Sequence, residues 1–194
     1  MPVAERIFVS AQWFQYANSS AGEIMTRIDG SWSHSELESF LRDSLVPIRL
    51  ACHHTDGGLW MVSLWYQYEG GQLLCATGRN SNIASFLRRN DEVSFEVSTN
   101  RPPYMGVRGK GTTTLEADED KALLKTLMNR YLGGTDSDLA AMLLDDKREE
   151  LVIRIDPERL FTWDFTERMQ SVRSDAPALT STEPESPRDG KTGE

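Results

Sequence analysis

The segment LWMVSLWYQYEGGQLLCATGRNSNIASFL, residues 59–87, decides the fold. Two strand-like runs, 59–68 and 72–77, flank Glu69-Gly70-Gly71, a short glycine-bearing connection of the kind that closes an antiparallel hairpin. In the first run Trp60, Val62, Leu64, Tyr66 and Tyr68 share one face, and Met61, Ser63, Trp65 and Gln67 share the other. Aromatic rings occur on both, so both faces are expected to be covered. The second run stops at Gly78-Arg79-Asn80-Ser81. Beyond it Ile83, Phe86 and Leu87 stand at i, i+3 and i+4, the apolar stripe of a short helix. A strand therefore feeds a helix through a turn carrying Arg79, with Asn80 or Ser81 as N-cap. Free backbone N–H groups, a positive helix end, a hydroxyl and a guanidinium meeting at one turn suit a phosphate.

On the N-terminal side, Ser33-His34-Ser35-Glu36 reads as a capping box, followed by Leu37, Phe40 and Leu41 on one helical face that ends near Ser44. Residues 46–55 form a strand that Asp56-Gly57-Gly58 turns into the Leu59 run, giving a β-meander. On the C-terminal side Val93, Phe95 and Val97 alternate with polar residues, a half-buried strand. A loop with Arg101-Pro102-Pro103 leads into residues 105–115, which place Arg108 and Lys110 together on one strand face. Residues 118–132 are the clearest helix, with Leu124, Leu127, Met128, Tyr131 and Leu132 on one stripe. Leu139, Met142 and Leu143 mark a shorter helix. Residues 151–155, an Asp156-Pro157 turn and residues 159–165 then read as a closing pair of strands.

The 194 residues suffice for one packed domain. A net charge of −9 argues against a general affinity for nucleic acid or an anionic membrane, each of which needs a basic surface, but permits a small anion held in one basic cleft. Cys52 and Cys75 lie in strand-like runs without a CxxC, so a reducing compartment fits. No apolar stretch has bilayer length and no leader-like layout opens the chain; a cytoplasmic protein is expected. Residues 1–32 read as an extension carrying Trp13 and Phe14, with Met25 a candidate start of the domain, and residues 170–194 as a polar tail with too little apolar surface to order itself. No GxSxG, HExxH or Walker sequence is present, and no catalytic residue is assigned.

Few helices and strands in sequential hairpins argue for an antiparallel barrel. The order of elements, together with Met61-Val62-Ser63-Leu64-Trp65-Tyr66, Cys75-Ala76-Thr77-Gly78-Arg79, Val107-Arg108-Gly109-Lys110-Gly111 and residues 152–163, resembles the pyridoxamine 5'-phosphate oxidase-like, FMN-binding split-barrel family over residues 33–169. The resemblance implies a mainly β fold with short helices, a six-stranded antiparallel Greek-key split β-barrel. It also implies a homodimer with a flavin in a groove where the subunits meet, and a flavin-dependent oxidoreductase acting on a small organic substrate. Carried to matching positions, Ser63, Leu64 and Trp65 would line the ring system. Thr77, Arg79 and Ser81 would surround the phosphate, and Arg108 and Lys110 would add charge. Relatives often carry S-x-K-x-x-N-L at the phosphate turn, where this chain has Ile83 and Phe86 in place of Lys and Asn. The alternative is a non-catalytic split barrel with deazaflavin or haem in place of FMN, or no cofactor.

Competing readings from the residues themselves stay open. Arg79 and Ser81 also suit an ordinary capped helix with a solvated arginine. Arg108 and Lys110 also suit cross-strand pairing with Glu96 and nearby acids. Trp65 and Trp163 suit packing, and Tyr104 suits either the groove or a subunit contact. Cys52 and His54 share a strand face but supply only two ligands, so no metal is assigned.

Overall fold

In the computed structural model, which describes residues 26–170, the chain runs β1 (Arg27–Gly30), α1 (His34–Asp43), β2 (Ile48–His53), β3 (Leu59–Leu64), β4 (Tyr66–Glu69), β5 (Gln72–Gly78), α2 (Asn82–Leu87), β6 (Glu92–Ser98), β7 (Met105–Ala117), α3 (Ala122–Leu132), α4 (Asp138–Leu143) and β8 (Glu150–Asp164). Hydrogen-bonded neighbours follow the path β3-β2-β6-β7-β8-β5-β4, with β1 added in parallel to the second half of β8. The two ends of that path, β3 and β4, are consecutive in the chain and separated only by Trp65. The sheet therefore curls until its ends meet at one residue, which is the split barrel expected from the sequence.

Three boundaries differ from the sequence reading. The run 59–68 is expected as one strand, but it changes partner at Trp65: Ile48–His53 pair with 59–64, whereas Tyr66–Glu69 pair with β5. Asp156-Pro157 is expected to be a turn, yet β8 passes through it unbroken. The register instead slips between Lys110 and Gly111, so that Lys110 faces Arg159, Gly111 faces Pro157, and Glu158 has no partner. The helix read over 118–132 begins at Ala122, because the Asp118 carboxylate accepts the Leu123 and Leu124 N–H groups (2.9 and 3.0 Å) after a short 3-10 turn with Asp120 and Lys121 at positive φ. In addition, residues 27–30, for which the sequence gives no regular element, form β1, and the Thr26 hydroxyl donates to the Pro157 carbonyl at 2.9 Å.

The remaining elements match their local signals. Ser33 and Glu36 make the reciprocal capping box, and Ser81 caps α2 by accepting from Ala84 N–H at 3.2 Å. Gly70 and Gly71 take positive φ in the β4–β5 turn, which is why glycines stand there. Inside the barrel, Leu37, Leu41, Ile48, Leu50, Tyr66 and Ile153 are almost wholly buried. At roughly 1.5–3 kcal/mol for each large apolar side chain removed from water, this interior is the main stabilising term. The Tyr66 hydroxyl is satisfied by donating to the Leu41 carbonyl at 2.9 Å. Ile83 and Phe86 belong to this core at 5% and 7% exposure, so α2 presents no cation at either place. A smaller cluster of Leu124, Met128 and Ala140 packs under Trp65, Leu143 and Leu144, while Leu139 and Met142 of the short helix stay exposed.

The expectation that both faces of β3 are covered does not hold within the single chain. Leu59, Trp60 and Met61 are 81%, 42% and 64% exposed. β3 ends the sheet path, its one neighbour being β2, and among the described residues no helix lies across its outer side. No helix among the described residues is long and apolar enough to cross a membrane. Trp13, Phe14 and the tail from 171 onward lie outside the described residues.

Candidate functional site in a basic cleft on the outer sheet face

Strand alternation sends one set of side chains into the core and the other onto the outer face of the sheet. Two rows of register partners cross that outer face. Met61, Ala51, Ser94, Lys110 and Arg159 stand in one row; Ser63, Arg49, Glu96, Arg108 and Phe161 stand in the next. Together they line a cavity of about 640 Å³, floored in part by Leu160 and Phe95. Its lining contains four basic residues, Arg49, Arg108, Lys110 and Arg159, and a single acid, Glu96. In a chain of net charge −9 this is a local inversion of sign.

Each base is held by a different contact. Arg49 Nη1 reaches Glu96 at 3.4 Å and the Ser98 hydroxyl at 3.2 Å, and its Nη2 donates to the Asn100 side-chain amide oxygen, Oδ1. Arg108 makes no ion pair among the described residues; its guanidinium lies 4.8 Å from the Phe161 ring centre and 5.8 Å from that of Trp163. Lys110 sits 3.6 Å from Glu158. Arg159 is 3.0 Å from Asp29, whose carboxyl is held below its usual 3.8 chiefly by the hydrogen bond from Arg27, then by Arg159. Of the cross-strand pairing with Glu96 and nearby acids considered for Arg108 and Lys110, Lys110 has its partner in Glu158, Glu96 is taken up by Arg49, and Arg108 stays without one among the described residues. Solvent-exposed pairs of this kind are weak, about 0–1 kcal/mol each, so the bases can be redirected toward a ligand at small cost.

The residues predicted from the sequence fall in three places. Arg108 and Lys110 line the large cavity, and Ser63 stands in the Arg108 row. Leu64 points inward and packs against the core, and Trp65 stacks on Tyr131 with ring centres 5.5 Å apart. Thr77, Arg79 and Ser81 line a separate cavity of about 490 Å³ together with Lys147, Arg148, Glu149 and Glu150. There the Thr77 hydroxyl donates to Ser81 Oγ at 2.9 Å, Arg79 Nε lies 2.7 Å from the Glu149 carboxylate, and Arg79 N–H donates to the Glu149 carbonyl at 2.8 Å. Within one chain, then, the two sets of bases do not line the same cavity. Arg49 and Arg159 are the additions that sequence reasoning missed. The one signal for Arg49 is a charged residue between Ile48 and Leu50, on the outward side of an otherwise apolar alternation.

Cys52 is buried in β2, while His54 lies beyond the strand, 2.7 Å from Asp56 in the hairpin turn. Tyr104 is 42% exposed, and its carbonyl accepts the Phe165 N–H at 3.0 Å.

No protein-family model and no curated protein sequence matches the chain. Solved structures do. A conserved hypothetical protein from Mycobacterium tuberculosis superposes with a TM-score of 0.57 at 26% identity, over 72% of this chain and 89% of that one. An F420 reductase gives 0.55 at 19% identity, over 67% of this chain and 97% of its own length. A putative pyridoxamine 5'-phosphate oxidase from Listeria innocua gives 0.51 at 19% identity, over 66% and 95%. These likenesses agree with the closed strand path and the partner switch at Trp65: the chain has the split-barrel fold of the pyridoxamine 5'-phosphate oxidase-like proteins.

Proposed function

We propose that this chain binds a flavin-type cofactor, FMN or a deazaflavin, along the outer-face cleft and serves as a flavin-dependent oxidoreductase for a small organic substrate, working as a homodimer. The observation that carries the reading is the concentration of Arg49, Arg108, Lys110 and Arg159 around one 640 Å³ cavity in an acidic protein. Such a cavity is within the size range of cofactor sites. Its residues fit the group: Met61, Leu160 and Phe161 supply apolar surface for a planar ring system, and the bases supply charge-assisted hydrogen bonds for an anionic tail. Among the described residues, the side chain of this lining that could ligate an iron is the Met61 thioether, which supports the flavin reading over haem. A bound flavin supplies hydride transfer, and the chain's part is to anchor it, orient it and limit the access of water. A second copy laid on the exposed Leu59 and Met61 would complete the cover of the cleft.

The test is a titration of purified protein with FMN, a deazaflavin cofactor and haem, followed by flavin fluorescence and absorbance. Saturable flavin binding is expected, and Arg108→Ala or Lys110→Ala should each weaken it tenfold or more. The figure follows from removing one charge-assisted contact worth about 1.5–3 kcal/mol, at about 1.4 kcal/mol per decade. Unchanged affinity in both variants, or no flavin binding at all, removes the proposal. In the same series Arg79→Ala locates the phosphate. A tenfold loss joins the Thr77–Ser81 turn to the site, and no loss assigns the tail to the outer-face bases alone.

A further inference from the structure

A second cavity of about 290 Å³ adjoins the basic cleft, sharing Ala51, Ser94 and Lys110 with it. Its remaining walls differ in character. His53 and Leu59, a register pair on β2 and β3, form one side; Glu92 and Val93 of β6 form another; Gly111 of β7 and Glu158 of β8 form the third. Where the large cleft has four bases to one acid, this one has two carboxylates to one ammonium.

The acid at the junction owes its position to the irregularity in β7–β8. In a regular ladder Glu158, next to the outward Arg159, would turn inward. The register slip makes Glu158 an extra residue, so that Glu158 and Arg159 are both exposed while Pro157 is buried. Gly111 permits the slip, since a Cβ there would meet the Asp156 carbonyl oxygen at 2.1 Å. A strand defect that re-aims one carboxylate into a cavity mouth is a built feature of the backbone and not a chance surface charge. The Lys110–Glu158 pair does not cancel it: the atoms are 3.6 Å apart on side chains 65% and 46% exposed, and Glu92 makes no ion pair among the described residues.

We propose that this smaller cavity is a second ligand pocket, beside the cofactor cleft, that takes a small organic cation, with Glu92 and Glu158 facing the positive group, His53 hydrogen-bonding beside it and Leu59 covering its apolar part. The assignment of the pocket to substrate rests on the flavin reading of the neighbouring cleft; the charge preference does not. At this volume the pocket suits a fragment-sized molecule.

Benzylamine and benzyl alcohol, equal in size and different in charge, are the probes. Backbone amide shifts of the full chain without flavin should move at His53, Leu59, Glu92 and Gly111 on adding benzylamine, at concentrations where benzyl alcohol moves them at least tenfold less. Glu92→Gln and Glu158→Gln should each weaken benzylamine binding by tenfold or more, and Glu92→Gln, which touches none of the cleft's ion pairs, should leave FMN affinity within twofold. Equal binding of the alcohol, shifts centred elsewhere, or unchanged benzylamine affinity in both glutamine variants would overturn the pocket, whatever the FMN titration gives. Amine binding in a chain that fails to bind FMN would instead sustain the pocket and sink the flavin reading.

Discussion

Gly111→Ala probes the one backbone irregularity that shapes both cavities. The glycine lies in β7 opposite Pro157, and its φ is not in the left-handed region, so an alanine meets no torsional obstacle. The obstacle is contact. An added Cβ would stand 2.1 Å from the Asp156 carbonyl oxygen, 2.9 Å from its carbon and 3.0 Å from Pro157 Cα, all backbone atoms without a rotamer to yield. Real Cβ atoms essentially never come within 3.0 Å of such neighbours, so β8 must retreat by about an ångström across the slip. Overpacking of that order costs about 1–3 kcal/mol, against a gain of about 0.4–1 kcal/mol from stiffening the unfolded chain. For a chain of this length a net loss near 1–2 kcal/mol lowers the melting temperature by about 2–8 °C. Gly134→Ala is the control, because nothing lies within 4 Å of its added Cβ and its φ is ordinary; it should melt at or slightly above the parent temperature. Differential scanning calorimetry of the two variants gives the comparison, and amide shifts at Lys110 and Glu158 report whether the slip survives. A Gly111→Ala protein as stable as Gly134→Ala, with those shifts unmoved, would refute the account of the bulge.

Two further outcomes follow from buried and paired groups. Burial pushes the Cys52 and Cys75 thiols above their usual 9.0, and both are buried, so native protein should not react with a disulfide reagent near pH 8 until denaturant releases both thiols; prompt reaction of either one contradicts the barrel interior described above. Stability should fall on both sides of neutrality. The Asp29, Glu36, Asp56 and Asp164 carboxyls are held below 3.8 to 4.5 by hydrogen bonds from Arg27, Ser33, Gly58 and Thr166 respectively, so the unfolded chain takes up protons first and stability drops as pH falls below that range. Burial raises the Tyr66, Tyr68 and Tyr131 phenols above 10.0 along with the two thiols, so the unfolded chain loses protons first and stability also drops as pH climbs past 9 to 10. Denaturant midpoints that stay flat up to about pH 11 would contradict the alkaline limb.

Much of the barrel was legible because its signals are local. The Ser33-Glu36 capping box, the Gly70-Gly71 turn and the Val93-Phe95-Val97 alternation each fix an element from a few neighbouring residues. The partner switch at Trp65 was not legible, since side-chain alternation runs unbroken from Trp60 to Tyr68 and carries no mark of which strand lies alongside. Asp156-Pro157 misleads for a related reason: the residues that favour a turn also favour a slip in a ladder, and only the glycine opposite, Gly111, decides between them. Arg49 and Arg159 lie far apart in sequence from each other and are joined only through the β2-β6-β7-β8 pairing, so their convergence is a property of topology.

That topology also explains why a cleft of opposite sign arises on so acidic a chain. Closing the sheet on itself uses the inward alternation of every strand for the core, which leaves the outward alternation of β2, β6, β7 and the second half of β8 as one continuous surface. On this surface the ladder fixes spacing: Arg108 lies one row from Lys110 on β7, Arg159 faces Lys110 from the adjacent β8, and Arg49 stands two strands from Arg108 on β2, with Glu96 of β6 between them. Backbone register keeps the four bases on one face; Glu96 is the one acid in the lining itself, while Glu158 and Asp29 pair with Lys110 and Arg159 from its edge. Arg108, which makes no ion pair among the described residues, and the weakly paired bases beside it are what an anion would engage, and they are carried by strands, which hold a site more precisely than loops do. Replacing Glu96 by Gln should therefore strengthen binding of an anionic ligand in the cleft and lower the stability of the ligand-free protein, two effects that a merely solvated glutamate would not produce together. A titration of Glu96→Gln with FMN, paired with its melting temperature, separates the two cases, and unchanged affinity would show that the cleft's charge does not act on what it binds.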